Sequence, residues 1–449
     1  MEKCKRPSFL MGLFLCLVVL SATFPYCFAA AFSKPNPKKF GSSFVFPVDG
    51  NVYPKGYYHV SLFIGQPPKL YFLDIDTGSD LTWLQCDAPC VKCTPAPHSL
   101  YKPNKNLISC QNPLCASVNG PGNHHCEDQD QCDYEIVYAD QGSSIGVLVE
   151  DTFPLKFANG TVVSPRLAFG CGYNQEIPDP NNAPYTDGVL GLSGDKSSIP
   201  GQLRNIGLSR NVVGHCLSAQ GGGFLFVGDD LLPSTGVSWA PLLRKPTDDF
   251  REHLSLGPAD ILFGELKTGV NGVPVIFDSG STYSYFSIQA YDVLLDLIKE
   301  DLKDKQLKEA KGDGSLPVCW KGPKPYKSAV EAKSYFKPIT MSFRKANNVQ
   351  LHIHPEAYLI ATKHGNICLG ILNGSEVGLE HVNVVGDISM QDKMVMYDYE
   401  NQRIGWFEAN CDKLYSVDGN HKVCFHQPHP ADIAFPTEQW CPADILLEK

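Results

Sequence analysis

The hydrophobic pattern of this chain reads mostly as strands and turns. Tyr57–Ile64 (YYHVSLFI) alternates and is rich in aromatic and β-branched residues, which predicts a strand. Gly65-Gln66-Pro67-Pro68 follows as a turn. Leu70–Ile75 (LYFLDI) predicts a second strand, which runs straight into Asp76-Thr77-Gly78-Ser79. Far downstream, Val273–Phe277 (VPVIF) predicts a strand that runs into Asp278-Ser279-Gly280-Ser281. Gly221–Gly228 reads as a strand bounded by glycines, and Lys393–Phe407 as a hairpin turning near Glu400-Asn401-Gln402. One stretch, residues 288–311, has apolar positions at helical spacing and many charges, so it predicts an amphipathic helix.

The strand-to-Asp pattern occurs twice, and a second landmark follows each copy. Val189-Leu190-Gly191 ends 115 residues after Asp76, and Val384-Val385-Gly386 ends 108 residues after Asp278. A lone Asp-Thr-Gly-Ser is weak, because such clusters are ordinary turns. Two landmarks in the same order at similar spacing point to two related lobes. The expected organisation is an N-terminal lobe over 57–243, a polar connection at Arg244–Arg251 and a C-terminal lobe over 252–411. A His- and Pro-rich tail, 412–449, still carries Cys424 and Cys441.

At 449 residues the chain is long enough for two or three domains, and 43% hydrophobic with 19% charged residues excludes a disordered or fibrous protein. A formal net charge of -10 excludes a generally basic nucleic-acid binder. Lys3, Lys5 and Arg6 precede the apolar run Phe9–Leu20, and Ala29, Ala30 and Ala31 supply small residues for cleavage. Residues 1–30 therefore read as a signal peptide, followed by a short segment over 31–56. No later stretch is apolar enough to span a membrane, and the C-terminus lacks a hydrophobic tail, so no stable membrane anchor is expected.

The chain has 17 cysteines, of which Cys4, Cys16 and Cys27 leave with the signal. Seven cluster as Cys86, Cys90, Cys93, Cys110, Cys115, Cys126 and Cys132, and the others include Cys171, Cys216, Cys319, Cys368 and Cys411. Cys86, Cys90 and Cys93 with His124 and His125 admit a zinc reading, but in a secreted chain disulfides are preferred. The expected location is the secretory pathway, ending outside the cell or in a vacuole. Asn159-Gly160-Thr161 and Asn373-Gly374-Ser375 are glycosylation sequons.

A strand ending in Asp and then Gly presents a carboxylate on a sharp loop, with peptide amides free to point at it. Ser or Thr hydroxyls fix its orientation. Two such loops, one per lobe, can bring two carboxylates together; these share a proton and titrate as a pair. The ionised member can take a proton from water while the protonated member polarises an amide carbonyl.

The chain resembles the pepsin-family aspartic endopeptidases, and within them the plant nucellin-like and nepenthesin-like branch. A proton-sharing carboxylate dyad is the known chemistry of that family. The resemblance runs from about Tyr57 to Cys411, on DTGSDLTW (76–83), VYADQGSSIGVL (137–148), AFGCGYNQ (168–175), DGVLGLSG (187–194), DSGSTYSYF (278–286) and NVVGDISMQDKMVMYDYENQRIGW (383–406). It implies an all-β, bilobal acid protease fold, with two related β-barrel-like lobes, a cleft between them and a few short helices. The Cys-rich stretch 86–132 resembles that branch's insertion. By resemblance Asp76 and Asp278 are the catalytic pair, supported by Thr77, Gly78, Ser79, Ser279, Gly280 and Ser281. Tyr138 matches the flap tyrosine that closes over substrate, with Asp140 and Gly142 beside it, and Trp83 matches the tryptophan that hydrogen-bonds it. Cys319 and Cys368 match a C-lobe disulfide, and a Cys171–Cys411 pair is implied as well. Asp74 and Asp387 read as structural carboxylates.

The implied activity is hydrolysis of polypeptide substrates at acidic pH, by a monomer that needs no cofactor or metal. Two departures stand out. The 31–56 segment does not look like a long basic prosegment, and the flap reads Ala-Asp-Gln-Gly in place of a Gly-Thr-Gly. The alternatives are a catalytically inactive pepsin-fold binder, such as a glycosidase inhibitor, or a glycosidase carboxylate pair. The retention of both Asp loops argues against the first, and their symmetry against the second.

Overall fold

Runs of aromatic and β-branched residues form most of the ordered chain, as pleated surfaces favour. The computed structural model describes residues 43–88, 90–120, 131–178, 183–243 and 255–412. The signal-peptide segment, the 244–251 connection, Cys126 with His124 and His125, and the tail with Cys424 and Cys441 lie outside these. The architecture is all-β with a few short helices. Its sheets stay open: a 13-stranded sheet ends on Ser238–Pro241 at one side and Asp133–Val137 at the other, and an eight-stranded sheet serves the C-terminal half. Among the described residues the barrel-like closure expected from the resemblance does not form, because the sheets end in edge strands.

The same local topology is built twice. Gly188–Gly191 inserts between two strands, parallel to Lys69–Asp76 (Leu190↔Ile75, Gly191↔Asp76) and antiparallel to Trp83–Gln85. Asn383–Val385 inserts likewise, parallel to Val273–Phe277 (Phe277↔Val385) and antiparallel to Ser284–Phe286. Each inserted strand ties down the loop between its neighbours. The Leu192 amide donates to the Asp76 carbonyl at 2.8 Å, and the Asp278 amide donates to the Val385 carbonyl at 3.0 Å. Glycine ends each landmark for lack of space. A Cβ on Gly191 would lie 2.4 Å from the Asp80 carbonyl oxygen, and one on Gly386 would lie 2.1 Å from that of Tyr283.

The two halves share a sheet. The predicted C-terminal hairpin forms as Lys393–Asp398 and Arg403–Glu408, and its first strand pairs with Val212–Leu217 (Gly214↔Met396). A strand not read from the sequence, Phe44–Asn51, lies between Gly223–Val227 and Tyr57–Ile64 in the same sheet. Trp406, from that hairpin, stacks on Phe277 at 5.4 Å and tilts against Phe343 at 5.5 Å. Burial of so large a ring contributes strongly to joining the strand behind Asp278 to the shared sheet.

The helix is shorter than its charge pattern suggests, spanning Ile288–Leu302. Ala290, Leu294, Ile298 and Leu302 form its buried stripe. Beyond Leu302 the chain leaves the helix, and Lys308–Glu309 pair with Cys319–Lys321.

Five disulfides are placed: Cys86–Cys171, Cys90–Cys93, Cys115–Cys132, Cys216–Cys411 and Cys319–Cys368. Cys110 is also disulfide-bonded. The expected Cys171–Cys411 pair is thus incorrect. Strand register explains why: Leu84 sits beside Cys171, which brings Cys86 next to it. Cys216 sits beside Met394 in the shared sheet, which brings Cys411 within reach. Cys319 and Cys368 face each other in register.

Candidate active site

Both Asp loops cradle their carboxylates in the same way. The Gly78 amide donates to Asp76 Oδ1 at 2.8 Å, and the Ser79 hydroxyl donates to Oδ2. In the second loop the Gly280 amide donates to Asp278 Oδ1 at 2.9 Å, and the Ser281 hydroxyl donates to Oδ2 at 2.8 Å. The Asp-x-Gly-Ser spacing is what produces this. The residue two positions on supplies an amide, and the next supplies a hydroxyl.

Thr77 and Ser279 do something else. The resemblance puts them on the carboxylates, but they bind the two loops to each other. The Thr77 amide donates to Ser279 Oγ at 3.1 Å, and the Ser279 amide donates to Thr77 Oγ1 at 3.0 Å. The Ser279 hydroxyl then donates to the Ile75 carbonyl at 3.0 Å. These reciprocal bonds are buried, with Thr77 at 0% and Ser279 at 2% exposure. Tyr397, fully buried, lies 3.1 Å from Thr77 Oγ1. The sequence assigns it no role, because its place depends on the shared sheet.

The clamp brings the carboxyl groups of Asp76 and Asp278 together around the two loop glycines. Each carboxylate also packs on the other loop's glycine. A Cβ on Gly78 would lie 2.5 Å from Asp278 Oδ1, and one on Gly280 would lie 2.5 Å from Asp76 Oδ1. Burial first, and then the charge of Asp278, push the Asp76 carboxyl well above the usual carboxylate range; the Ser79 and Gly78 bonds pull the other way. Such a pair keeps one shared proton. It can therefore act as acid and base together.

Two further carboxylates surround the pair. Asp387 follows Gly386, is 1% exposed, and its Oδ1 has no hydrogen-bond partner among the described residues. Burial, then Asp74, Asp278 and Asp76, hold it far above the ordinary value. Asp74 is raised by burial, then by Asp76 and Asp278.

A raised carboxyl stabilises the fold in full below the ordinary Asp value of 3.8, and loses that contribution as pH climbs through its raised value. Asp387→Asn is therefore expected to raise the melting temperature at pH 7 but hardly at pH 4. Thermal unfolding of both proteins across pH checks this; an equal shift at both pH values contradicts it. The opposite trend acts at the acid end. Asp313 is held down to about 2, with hydrogen bonds from Ser315, Asn366 and Thr362 outweighing its burial. Its contribution is lost as pH falls through that value.

Asp133–Val137 and Ser143–Thr152 form a hairpin. Its turn begins at Tyr138, whose amide donates to the Gly142 carbonyl at 2.8 Å. Asp140 Oδ1 accepts the Gly142 amide at 2.9 Å, and Gln141 adopts φ 70°. An Asx turn thus replaces the glycine-rich tip that the resemblance leads one to expect. Trp83 Nε1 donates to the Tyr138 hydroxyl at 2.7 Å. Burial, and then the charge of Asp76, raise the Tyr138 phenol well above its usual value. The C-terminal half adds Tyr285, which senses both Asp140 and Asp278 and to which the sequence assigns no role. Of the sequons, Asn159 is exposed, whereas Asn373 is half-buried and caps a short helical turn through Ser375.

Residues 58–229 match the domain family described as Xylanase inhibitor N-terminal, and residues 258–408 match that described as Xylanase inhibitor C-terminal. A rice (Oryza sativa subsp. japonica) aspartic proteinase is 42% identical over 385 residues, covering 83% of this chain and 92% of that protein. Aspartic proteinase 39 of Arabidopsis thaliana is 28% identical over 395 residues, covering 84% of this chain and 79% of that protein. Among solved structures, basic 7S globulin from soybean shares the fold with a TM-score of 0.65 at 16% identity, covering 86% of this chain and 100% of that one. Conglutin gamma from lupine seeds does so with a TM-score of 0.62 at 16% identity, covering 82% of this chain and 95% of that one.

Proposed function

The chain belongs to the pepsin-like aspartic proteinase family of plants, and from that premise we propose that it is an active endopeptidase with Asp76 and Asp278 as its catalytic pair. The observation that carries this reading is the paired arrangement itself, each carboxylate packed on the other loop's glycine and cradled by its own glycine amide and serine hydroxyl. An extended polypeptide lies between the pair and the Tyr138 hairpin. The ionised carboxylate takes a proton from water as the oxygen attacks the scissile carbonyl carbon. The protonated partner gives its proton to the carbonyl oxygen. The newly ionised carboxylate then takes a proton from a hydroxyl of the tetrahedral diol while its partner protonates the amide nitrogen, and the C–N bond breaks. Water is split between the two products, and the pair ends with one proton as it began.

Activity requires one proton on the pair. It falls as pH rises enough to remove that proton and as pH drops enough to add a second, so a bell-shaped profile centred in the acid range is expected. Trp83→Phe shrinks a buried ring and removes the N–H that holds Tyr138. Its kcat/KM is expected to drop about tenfold, beyond what a modest fall in melting temperature explains. An unchanged kcat/KM means that bond does not position the hairpin.

The disulfide set supports passage through an oxidising compartment, and no helix among the described residues is long and apolar enough to cross a membrane. We assign the protein to the secretory pathway as a monomer, glycosylated at Asn159. A second reading, a binding protein directed at a glycosidase, is favoured by the xylanase-inhibitor description of the matched domains. One experiment separates the two. Purified mature protein is assayed on a peptide library with and without a statine inhibitor, and a xylanase is assayed with the same protein added. Statine-sensitive cleavage supports the endopeptidase. Xylanase inhibition without cleavage supports the binder.

A further inference from the structure

The chain is acidic overall, with a formal net charge of -10, yet residues 303–366 carry 12 lysines and arginines against five acidic residues. Strand register gathers part of this excess. Lys308–Glu309 form the edge of a four-stranded sheet, and Lys308 stands directly opposite Lys321. Their Cβ atoms are therefore about 5 Å apart on one face, where like charges repel. The loop after Lys321 packs on the turn at 362–366. The Tyr326 amide donates to the Gly365 carbonyl at 2.9 Å, and a Cβ on Gly365 would lie 2.5 Å from Pro325 Cβ. Lys324 and Lys327 on the loop thus adjoin Lys363 and His364 on the turn, and all are exposed.

Lysines around this edge have counter-charges: Lys303 pairs with Glu300, Lys305 and Lys337 with Asp301, and Lys333 with Glu356. The ammonium groups of Lys308, Lys321, Lys324, Lys327 and Lys363 form no ion pair among the described residues. An open groove of about 380 Å³ adjoins them, lined by Lys311, Lys321, His364 and Asn366 together with Glu309 and Asp313. Its two acids are already engaged. Glu309 pairs with Lys311. Asp313 accepts the Ser315 amide, the Thr362 hydroxyl and the Asn366 side-chain amide. The face thus holds unbalanced positive charge beside a polar groove, and a ligand with negative charges in a row would supply what it lacks.

The chemistry of the face narrows the ligand. Its unpaired cations named above are all lysine, and Arg344, the arginine of the stretch, is bound to Asp260. The planar fork of arginine suits phosphate, whereas lysine is a compact, rotatable charge. The face offers bases no ring to stack on, because Trp320 and Tyr326 are 3% and 5% exposed. Among the described residues of the stretch, Val330 alone is a large apolar side chain in the open, too little to enter a lipid surface. We propose that this face binds a carboxylated polysaccharide, a polyuronate chain laid along Lys308, Lys321 and Lys324 and into the adjoining groove. Its carboxylates accept from the lysine ammonium groups, and its hydroxyls meet the polar lining. Neither Asp loop contributes a residue to the face, so the proposal is independent of the endopeptidase reading.

Binding of the purified mature protein to polygalacturonate, to its fully methyl-esterified form, to single-stranded DNA and to phosphatidylserine vesicles tests this, at about 50 and 200 mM salt. Polygalacturonate is expected to bind, about tenfold more tightly at the lower salt, and the methyl ester, which keeps the sugar without the charge, is expected not to. The triple variant Lys308→Gln, Lys321→Gln, Lys324→Gln is expected to bind polygalacturonate about tenfold more weakly. Removing the same charge from exposed positions elsewhere, as Lys69→Gln, Lys156→Gln, Lys196→Gln, is expected to change binding less than about twofold. Should the first triple variant fail to fold, Lys324→Gln with Lys363→Gln, both outside strands, is expected to weaken binding about threefold. Failure of the wild type to bind polygalacturonate overturns the proposal. Equal weakening by the two triple variants overturns it too, since charge alone then binds without a site. Tighter binding to DNA or vesicles than to polygalacturonate gives the face to another partner and overturns it as well.

Discussion

Asp278→Ala is expected to yield a folded protein that has lost peptide cleavage by about 10³-fold or more. The chemistry assigned to the pair needs an acid and a base in one place, and each loop supplies one carboxylate. With Asp278 gone, Asp76 retains its serine and glycine bonds but has no partner for the shared proton. Folding is not at risk, because a repulsive neighbour is removed from Asp76, Asp74 and Asp387 at once. The measurement is kcat/KM on a cleavable peptide beside a thermal melt. Retained cleavage by rigorously purified Asp278→Ala protein would dismiss the pair as the catalyst. A collapse of the melt would instead mean the carboxylate is structural.

The second large effect concerns no charged group. Gly280→Ala is expected to reduce kcat/KM by about 10²-fold with a melting temperature close to wild type. The added methyl would sit 2.5 Å from Asp76 Oδ1, inside any normal contact distance, and it must displace the carboxylate or the loop. Gly280 itself is exposed, so no core packing changes with the substitution. A shift of about 1 Å between reacting groups is enough for a loss of this size. Gly78→Ala, whose methyl would press on Asp278 Oδ1 at the same 2.5 Å, should behave alike. Wild-type rates in both would mean the two carboxylates tolerate separation, which a shared proton does not allow.

These two predictions differ in how far the sequence reaches them. The contacts of Asp76 with Gly78 and Ser79 are local, so the spacing alone exposes them. The crossing of each glycine onto the opposite carboxylate is not local, and no period in the chain announces it. Thr77 and Ser279 make the same point. Both read as carboxylate supports because they adjoin Asp, yet their partners lie 202 residues away. The strands at 57–64 and 273–277 and the final hairpin are legible because aromatic and β-branched residues keep strand spacing. The strand at Phe44–Asn51 is not, because its interior Pro47 and Asp49 blur that pattern. The end of the helix at Leu302 is hidden for a related reason: charged residues continue a helical pattern on paper after the buried stripe has stopped. Disulfide pairing depends on which strands lie side by side, and Cys171 and Cys411 belong to different neighbourhoods. Asp74 and Asp387 look like bystanders in the sequence because their meaning comes from one another and from the pair.

The placement of Lys393–Asp398 beside Val212–Leu217, locked by Cys216–Cys411, has a consequence for biosynthesis. As the polypeptide emerges from the ribosome, the edge of Val212–Leu217 waits with bare amides and carbonyls until the hairpin near the end of the chain is made. A nascent chain cut short anywhere before that hairpin exposes a sticky strand to its neighbours. Premature termination should therefore yield insoluble material, not a working half, and quality control in the cell meets every copy of this protein at its most vulnerable just before release.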